Sequence, residues 1–349
     1  MSIAIITGSN GLVGAEATNF FCDKGFDVFG IDNNLRNFFF GKDGSTIWIK
    51  KKLEKRNKKY KHFKIDIRNY AGLEKIFKKY NKNISIIIHC AAQPSHDYGK
   101  QYPFLDFHVN ATGTLNLLEL TKKFCPIAPF IFMSTNKVYG DNPNNLKIIE
   151  KKKRWELNNN DPYFKGIDEK FSIDHSIHSF FGVSKSYADL IVQEYGKNIG
   201  LKTVSFRGGC ITGPNHSGAR LHGFLSFLVK KSLKEKKYTL IGYKGKQVRD
   251  NMHSFDLVNC FWEFFKNPKY GEVYNIGGGR FSNCSIIEAL DLVEEYSNIK
   301  IKRKILKTPR TGDHIWYVTN LKKFKRDYPK WTQKYNTKKI IEELINTSI

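Results

Sequence analysis

Short apolar runs alternate along the chain with longer segments whose apolar residues recur every three or four positions. The short runs have the length and β-branched content of strands, and the longer segments have the period of helices. The run at residues 84–91 is apolar almost throughout, as is typical of a strand covered on both faces. This alternation predicts right-handed βαβ crossovers and an α/β fold with a doubly wound parallel sheet. Its predicted strands are IAIIT, DVFGID, HFKID, ISIIIHCA, FIFMST, TVSFR and VYNI.

The regular alternation weakens after Gly213, where loops containing Gly and Pro separate elements of mixed type. We find no internal repeat and no low-complexity linker, so we expect a smaller C-terminal lobe that interleaves with the first domain. The first domain is predicted to span residues 1–212, with 247–280 returning to it, and the lobe to span 213–246 and 281–349. A lysine-rich segment, residues 41–61, is predicted to be a solvated surface helix.

The composition adds a strong positive charge. The 349 residues include 58 Lys and Arg against 33 Asp and Glu, a net charge of +25. The lysines are spread over many helical segments without the interleaved aromatic residues of a nucleic-acid groove, so we expect solvated surface charge and no nucleic-acid partner. The six cysteines lie far apart and suggest neither a metal site nor a disulfide framework.

Targeting and membrane-spanning signals are not evident in the sequence. A strand begins almost at the first residue and leaves no room for a secretory segment. No apolar run approaches the roughly 18 residues that cross a bilayer. We therefore expect a soluble, cytoplasmic protein without a membrane partner.

The segment TGSNGLVG places Gly8, Gly11 and Gly14 directly after the first strand and at the start of a helix. Glycines there let the backbone turn tightly and approach a pyrophosphate, which the helix N-terminus then stabilises. Asp32 closes the second strand 18 residues after Gly14, close to the interval of about 20 in dinucleotide-binding folds. Its carboxylate favours NAD over NADP, a preference that Arg36 would weaken. The pattern predicts a Rossmann domain that binds NAD.

Four further residues are predicted to line the cofactor site with weaker support. Asp66 and Ile67 end the third strand, at the edge of the sheet where an adenine would lie. Ala91 and Ala92 follow the fourth strand, where small side chains leave space for the cofactor. Small residues after a strand are also common for packing alone, so that alternative stays open.

Five motifs occur in an order that resembles one large superfamily. They are the glycine turn, IIIHCAAQ, NATGTLNLLE, MSTNKVYGD and the lysine of FGVSK. Together they resemble the extended short-chain dehydrogenase/reductase superfamily of NAD-dependent nucleotide-sugar epimerases and dehydratases, over residues 3 to 331. Within it, STNKVYGD, GKQVRDNMHSFD and NIGGGRFSNCS are most similar to the CDP-paratose (CDP-tyvelose) 2-epimerase group. The C-terminal lobe is then expected to bind a nucleotide sugar.

The resemblance implies roles for residues that match the catalytic motifs. Thr135 matches the Ser or Thr that binds the reacting oxygen, and Lys185 matches the lysine that holds the nicotinamide ribose. The tyrosine that serves as the proton acceptor in this superfamily is replaced here by Phe181. Phenylalanine has no ionisable proton, so the acid/base must come from another residue if the chain is an enzyme.

Several polar residues are candidates for that acid/base. His96 in QPSHD follows the fourth strand, in a loop that borders the sugar in this superfamily, and imidazole titrates near neutral pH. Ser184 is expected to assist it. Tyr187 lies two residues after Lys185 and therefore on a different helix face, and Tyr139 is favoured as structural. An exposed loop histidine is the competing interpretation of His96.

The remaining predicted residues contact the nucleotide sugar, by the same resemblance. Arginine pairs well with phosphate oxygens because its planar fork donates two parallel hydrogen bonds. No metal ligand set is predicted. The predicted substrate-binding residues are Gln93, His96, Lys137, Asn215, His216, Arg249 and Arg310. Two alternatives stay open: Lys137 could instead balance the charge of Asp141, and either arginine could form a surface ion pair.

The favoured function is epimerisation at carbon 2 by transient oxidation to a keto-sugar and re-reduction. Asn136 and Lys137 stand where a dehydratase would carry an acidic pair, which argues against dehydration. A nucleotide-sugar dehydrogenase and a non-catalytic NAD-binding protein stay open as alternatives. The superfamily resemblance also implies a homo-oligomer formed through two helices per subunit, one of them carrying Lys185.

Overall fold

The computed structural model describes residues 2–216, 223–309 and 312–348, and the chain divides into two compact units. Unit 1 comprises Met1–Val138, Phe180–Arg207 and Val258–Tyr274. Unit 2 comprises Tyr139–Ser179, Gly208–Leu257 and Asn275–Ile349. In the part of the chain that is described, we find no helix with the length and apolar character needed to span a bilayer.

Strands and helices are numbered in chain order. The strands are β1 Ile3–Thr7, β2 Asp27–Ile31, β3 Tyr60–Phe63, β4 Ile84–His89, β5 Phe130–Thr135, β6 Ile148–Glu150, β7 Trp155–Leu157, β8 Thr203–Gly208, β9 Cys210–Thr212, β10 Lys237–Ile241, β11 Val248–His253, β12 Glu272–Ile276, β13 Asn283–Ser285, β14 Lys302–Leu306 and β15 Trp316–Tyr317. The helices are α1 Leu12–Asp23, α2 Arg36–Gly44, α3 Ile47–Arg56, α4 Tyr70–Tyr80, α5 His96–Gln101, α6 Pro103–Phe107, α7 Gly113–Phe124, α8 Phe180–Lys197, α9 Phe224–Glu235, α10 Ser254–Lys266, α11 Ile286–Ser297, α12 Lys322–Asp327 and α13 Thr337–Ser348.

Unit 1 is built on a seven-stranded sheet in the order β12-β8-β5-β4-β1-β2-β3. The pairings of β1 with β2 and β4, of β2 with β3 and of β4 with β5 are parallel. The strand order reverses between β1 and β4, and ligands bind in the crevice at such a switch point in doubly wound sheets. The predicted parallel Rossmann fold is confirmed, and each of the seven predicted strands is present. The third strand was predicted as HFKID, but it runs from Tyr60 to Phe63, so Asp66 and Ile67 lie beyond its end.

The apolar runs are buried because helices cover both faces of the sheet. All five residues of β1 are buried, and β4 and β5 carry the same pattern with few exceptions. The lysine-rich segment forms the end of α2, all of α3 and the start of β3, rather than one helix. Its helix α3 buries Ile49 and Leu53 and leaves most of its lysines exposed.

Unit 2 is organised around the short sheet that contains β11. That strand pairs in parallel with β9 and β15 and antiparallel with β13. A separate apolar core joins α9, α11 and α13 through side chains that include Leu228, Leu290 and Ile341. Helix α11 begins with a capping box, in which Ser285 and Glu288 each bond the other's backbone N–H.

The observed division differs from the predicted domain boundaries in three segments, one of which is residues 208–212, predicted in the first domain and found in unit 2. Residues 139–179, predicted in the first domain, belong to unit 2, where the Ile167 N–H donates to the Val318 carbonyl at 2.7 Å. Of the predicted return at 247–280, only Val258–Tyr274 lies in unit 1, because β11 pairs with strands of unit 2. Hydrogen bonds between segments that are distant in the chain hold these residues in unit 2. The local pattern of apolar and polar residues does not predict such bonds.

Candidate active site

The turn between β1 and α1 brings backbone against backbone. Gly8 has φ +66°, and a Cβ on it would lie 2.7 Å from the amide nitrogen of Ala91. A Cβ on Gly14 would lie 2.1 Å from the carbonyl oxygen of Gly8. The N–H of Gly11 donates to that same carbonyl at 2.9 Å. The turn therefore requires glycine at positions 8 and 14, and no side chain at these positions covers the first turn of α1.

Asp32 follows β2 and is held by backbone donors. Its Oδ2 accepts from the Asn10 N–H at 3.0 Å, and its Oδ1 accepts from the Asn34 N–H at 2.7 Å. Burial raises the pKa of Asp32, and these bonds together with Arg36 oppose the rise. Arg36 stacks 4.9 Å over the ring of Phe40, and burial lowers its pKa to about 10, so it stays charged at neutral pH.

Asp66 and Ile67 lie in the loop after β3. Asp66 accepts from the Arg68 guanidinium at 2.7 and 2.9 Å and from the Asn33 amide at 2.7 Å. Burial acts to raise the pKa of Asp66, but these bonds outweigh it and the pKa is lowered. Ile67 is buried against Gly113. Both residues already have intramolecular partners, and contact with an adenine stays a prediction.

The end of β4 carries a buried histidine that the sequence prediction did not include. His89 lies between the Thr7 hydroxyl at 2.7 Å and the Thr114 hydroxyl at 2.9 Å. Burial holds the pKa of His89 well below its usual value, so the ring is neutral. The Thr7 hydroxyl also accepts from the N–H of Ala91 at 3.2 Å. Ala91 and Ala92 are half-buried beyond this strand end. A polar residue within the apolar run ISIIIHCA was the available signal.

Thr135 is the last residue of β5, and Lys137 lies two positions after it. The Thr135 side chain is half-buried, and its hydroxyl oxygen accepts from the Lys137 N–H at 3.2 Å. The preceding residue, Ser134, is buried and donates to Asp189 at 2.5 Å. Asp189 in turn pairs with Arg207 at 2.8 Å. This buried ion pair anchors α8 beside β5 and β8.

Lys185 is buried on the face of α8 that covers the sheet. Its Nζ donates to the carbonyl of Met133 at 2.8 Å and lies 4.0 Å over the ring of Phe132. Burial lowers the pKa of Lys185 to about 7, against the influence of Asp189 and Asp106, which raise it. The ammonium group is therefore close to its titration midpoint at neutral pH.

Phe181 and His96 are brought together. Phe181 lies one helical turn before Lys185 and is 7% exposed. The half-buried ring of His96, the first residue of α5, meets it edge-on with ring centroids 5.2 Å apart. Tyr187 instead packs against Phe107 with ring centroids 5.8 Å apart. Tyr139 lies in unit 2, where its hydroxyl donates to the Asn275 side chain at 2.8 Å, a structural role.

Ser184 and Gln93 are buried and bonded within unit 1. The Ser184 hydroxyl donates to Asp106 at 2.5 Å and accepts from Asn110 at 3.0 Å. The Gln93 amide donates to Asp106 at 2.5 Å and to the Ser95 carbonyl at 2.8 Å. The structure thus places both residues in a supporting network behind His96, and direct contact with substrate stays a prediction. Asp106 was missed because a single acid in the run PFLDF is an ordinary helix residue.

Three predicted substrate-binding residues lie in unit 2, and one lies outside the described residues. The Arg249 guanidinium bonds to the Asp313 carboxylate and to the carbonyl of His314. Asn215 is buried, and the His216 ring lies 3.3 Å from the Ser226 hydroxyl. The fourth, Arg310, is not among the described residues. Asp313 was not predicted, although its place in PRTGDH was a possible signal.

Residues 4–277 match the NAD dependent epimerase/dehydratase family, and this range covers most of the chain. The chain belongs to this family. NAD is the family's cofactor, and the glycine turn fits it, because bare backbone at a helix N-terminus suits a pyrophosphate. Asp32 directly follows β2, where a ribose diol would be bound.

Two members of this epimerase/dehydratase family match over most of their length. The chain is 29% identical to CDP-paratose 2-epimerase of Salmonella typhi over 347 residues, 97% of each chain. It is 27% identical to UDP-glucuronate 4-epimerase of Thermodesulfobacterium geofontis over 307 residues, 88% of this chain and 84% of the relative.

Two crystal structures share the fold of the chain. UDP-glucose 4-epimerase from Thermotoga maritima with UDP-glucose superposes with a TM-score of 0.80 at 23% identity, covering 99% of this chain and 98% of that one. UDP-glucose 4-epimerase from Thermus thermophilus with NAD superposes with a TM-score of 0.77 at 22% identity and the same coverage. At these identities the likeness shows a common fold.

The buried Lys185 predicts a pH-dependent stability difference. Its pKa is about 7 in the folded chain, against about 10.4 in a solvated chain. The unfolded state therefore binds more protons between these values, and the wild type should gain about 1.4 kcal/mol per pH unit relative to Lys185→Met as pH rises through this window. Urea unfolding at pH 6, 8 and 9.5 measures it. In Lys197→Met, on the exposed part of the same helix, the difference from the wild type should stay constant. A constant difference for Lys185→Met would contradict the burial of a titrating amine.

Proposed function

We propose that the chain is an NAD-dependent nucleotide-sugar epimerase that acts on a CDP-linked sugar by transient oxidation at carbon 2. The observation that carries this proposal is the grouping of functional residues in unit 1. The glycine turn follows β1, Thr135 ends β5, and His96 meets Phe181 one turn from Lys185. The cytidine base and carbon 2 rest on the similarity to CDP-paratose 2-epimerase, which extends over 97% of both chains.

The reaction needs a base and hydrogen-bond donors at one hydroxyl oxygen. Bound NAD supplies a hydride acceptor that later returns the hydride. We propose that Thr135 donates a hydrogen bond to the reacting oxygen while the base takes its proton and the carbon–hydrogen bond breaks. The resulting keto-sugar presents its other face, the hydride returns, and the proton goes back to oxygen. The sugar is inverted at one carbon with no net redox change.

We propose that His96 is the base, since Phe181 cannot be one. Three observations support it: the ring lies beside Phe181, it is half-buried, and it begins a helix tied to the buried network around Gln93. Lys185, with a pKa of about 7, supplies a positive charge near the same helix face. The roles of Ser184 and Gln93 are then to support these groups.

For the nucleotide, we propose Arg249 as the phosphate ligand, assisted by Arg310, with Asn215 and His216 as neighbouring contacts. The Arg249 guanidinium is held by the Asp313 carboxylate and by the carbonyls of Val248 and His314, so a phosphate would have to compete with Asp313 for its donors. Lys137 is proposed to contact a sugar hydroxyl. A cytoplasmic location stays a prediction.

The direct test is turnover with CDP-linked hexoses. We expect proton NMR to show a sugar inverted at carbon 2, with absorbance at 340 nm that rises only transiently in a single turnover. CDP-sugars should react faster than the UDP and dTDP forms of the same sugar. Stoichiometric NADH together with a released ketone would instead identify a dehydrogenase. No reaction with any nucleotide sugar, while NAD remains bound, would identify a non-catalytic NAD-binding protein.

Removing the proposed base should abolish most turnover. His96→Gln keeps the size and polarity of the side chain but cannot take a proton, so kcat should fall by about 10²- to 10⁴-fold. His108→Gln, at an exposed position directly after α6, is the matched control and should retain full activity. Steady-state rates on the substrate found above measure the effect, and near-normal turnover of His96→Gln would rule out this base.

We further propose that the chain is a homodimer formed through α6 and α8. Helix α8 exposes Phe180, Val183, Tyr187 and Leu190, and the Tyr187 ring contacts the exposed Phe107 on α6. These residues form one contiguous apolar surface, which is unusual for a free monomer face.

Charges on this surface should dissociate the dimer. In the double variant Val183→Glu with Leu190→Glu, two carboxylates would have to lose their hydration on association. Light scattering after size-exclusion chromatography should show a dimer for the wild type and a monomer for this variant. Ile127→Glu, at another exposed apolar position, is the control and should remain dimeric. A monomeric wild type would disprove the proposed dimer.

A further inference from the structure

Asp106 is a buried carboxylate at the centre of a hydrogen-bond network in unit 1. It lies in α6 and accepts from three side chains. Oδ2 accepts from the Ser184 hydroxyl at 2.5 Å. Oδ1 accepts from the Gln93 amide at 2.5 Å and from the Asn110 amide at 3.4 Å. Burial raises the pKa of Asp106, and the bonds from Ser184 and Gln93 favour its charged form. A buried acid with this many donors orients each of them.

One branch of the network leads to His96. The Gln93 amide that donates to Asp106 also holds both backbone groups of Ser95. Its Oε1 accepts from the Ser95 N–H at 2.6 Å, and its Nε2 donates to the Ser95 carbonyl at 2.8 Å. Ser95 is the N-cap of α5, and its hydroxyl accepts from the Tyr98 N–H. The orientation of the peptide that precedes His96 is therefore determined by a side chain that Asp106 holds.

The other branch leads to α8. Ser184 lies on the same helix between Phe181 and Lys185, and its hydroxyl donates to Asp106. Asn110 bridges the two branches, because its amide donates to the Ser184 hydroxyl at 3.0 Å and to the Gln93 carbonyl at 3.1 Å. One carboxylate thus ties the start of α5 to the first turns of α8.

We propose that Asp106 is a positioning residue that holds the His96 imidazole at a defined place relative to the Phe181–Lys185 face of α8. A tyrosine on α8 would be positioned by α8 itself. A base on α5 must instead be positioned relative to α8 by contacts between the two helices. Asp106 supplies such contacts. This inference rests on the proposed function of His96. A misplacement of about 1 Å in a catalytic group costs about 10²-fold in rate, so the effect is measurable.

The charge of Asp106 also affects the pKa of Lys185, and this effect distinguishes a role in positioning from a role in stability alone. Burial lowers the pKa of Lys185, and Asp189, Cys90 and then Asp106 oppose it in decreasing order; the neutral His89 lies nearby. Loss of the Asp106 charge therefore lowers the pKa of Lys185 below about 7. The ammonium form donates hydrogen bonds and is lost as pH rises through this pKa. The fall of kcat at high pH, the basic limb of its pH profile, should therefore occur at lower pH in Asp106→Asn.

The experiment compares three variants of the full chain on the CDP-sugar. In Asp106→Asn, kcat should fall by about 10²-fold with KM within about twofold, and the basic limb should shift. In Gln93→Ala, which keeps the Asp106–Ser184 bond, kcat should fall while the basic limb stays in place. Asp256→Asn is the matched control, because Asp256 is an equally buried carboxylate in unit 2 that accepts from the backbone N–H groups of Lys334 and Tyr335. It should lose stability without either kinetic change.

A readout without turnover keeps this inference distinct from the proposed function. The His96 Cε1–H resonance, assigned by its loss in His96→Gln, should shift or broaden in Asp106→Asn and Gln93→Ala, but not in Asp256→Asn. If no nucleotide sugar reacts, the proposed function fails and this resonance still decides the positioning role. A folded Asp106→Asn with wild-type kcat, basic limb and His96 resonance would overturn the proposal. If Asp106→Asn does not fold, Gln93→Ala decides, and unchanged kcat and resonance in that variant would overturn it.

Discussion

The closeness of the β1–α1 turn to the end of β4 is the constraint on which the rest of unit 1 depends. A Cβ on Gly8 would lie 2.7 Å from the Ala91 amide nitrogen, and a Cβ on Gly14 would lie 2.1 Å from the Gly8 carbonyl oxygen. The sheet reverses its strand order at this place, so the tight turn and the crevice are one feature. A side chain at these positions would push α1 away from the sheet and cover the backbone that suits a pyrophosphate.

A cofactor site built in this way leaves the chemistry to neighbouring side chains. Thr135 ends β5, and Phe181 lies one turn before Lys185 on α8. His96, the first residue of α5, meets the Phe181 ring edge-on. If His96 is the base, as we propose, the proton acceptor lies on α5 and not on α8, and the reaction then depends on how these two helices are held together.

Much of the fold could be predicted because strands and helices depend on the local pattern of apolar and polar residues. Apolar runs of strand length between amphipathic helices predicted the parallel sheet, and the spacing from Gly14 to Asp32 predicted the dinucleotide turn. The domain boundaries could not be predicted in this way. Residues 139–179 carry no pattern that assigns them to unit 2, since hydrogen bonds such as that from Ile167 to Val318 place them there.

The sequence by itself determined the class of fold and the glycine turn that suits the cofactor. These are local properties, because backbone conformation and periodicity depend on neighbours in the chain. The tertiary structure alone decided that Asp106 holds Gln93 and Ser184, which lie 13 and 78 positions away, and that Arg249 pairs with Asp313, 64 positions away. Buried polar groups form hydrogen bonds with whichever donors and acceptors the fold brings close to them. The distance between two residues along the sequence does not predict which pairs meet.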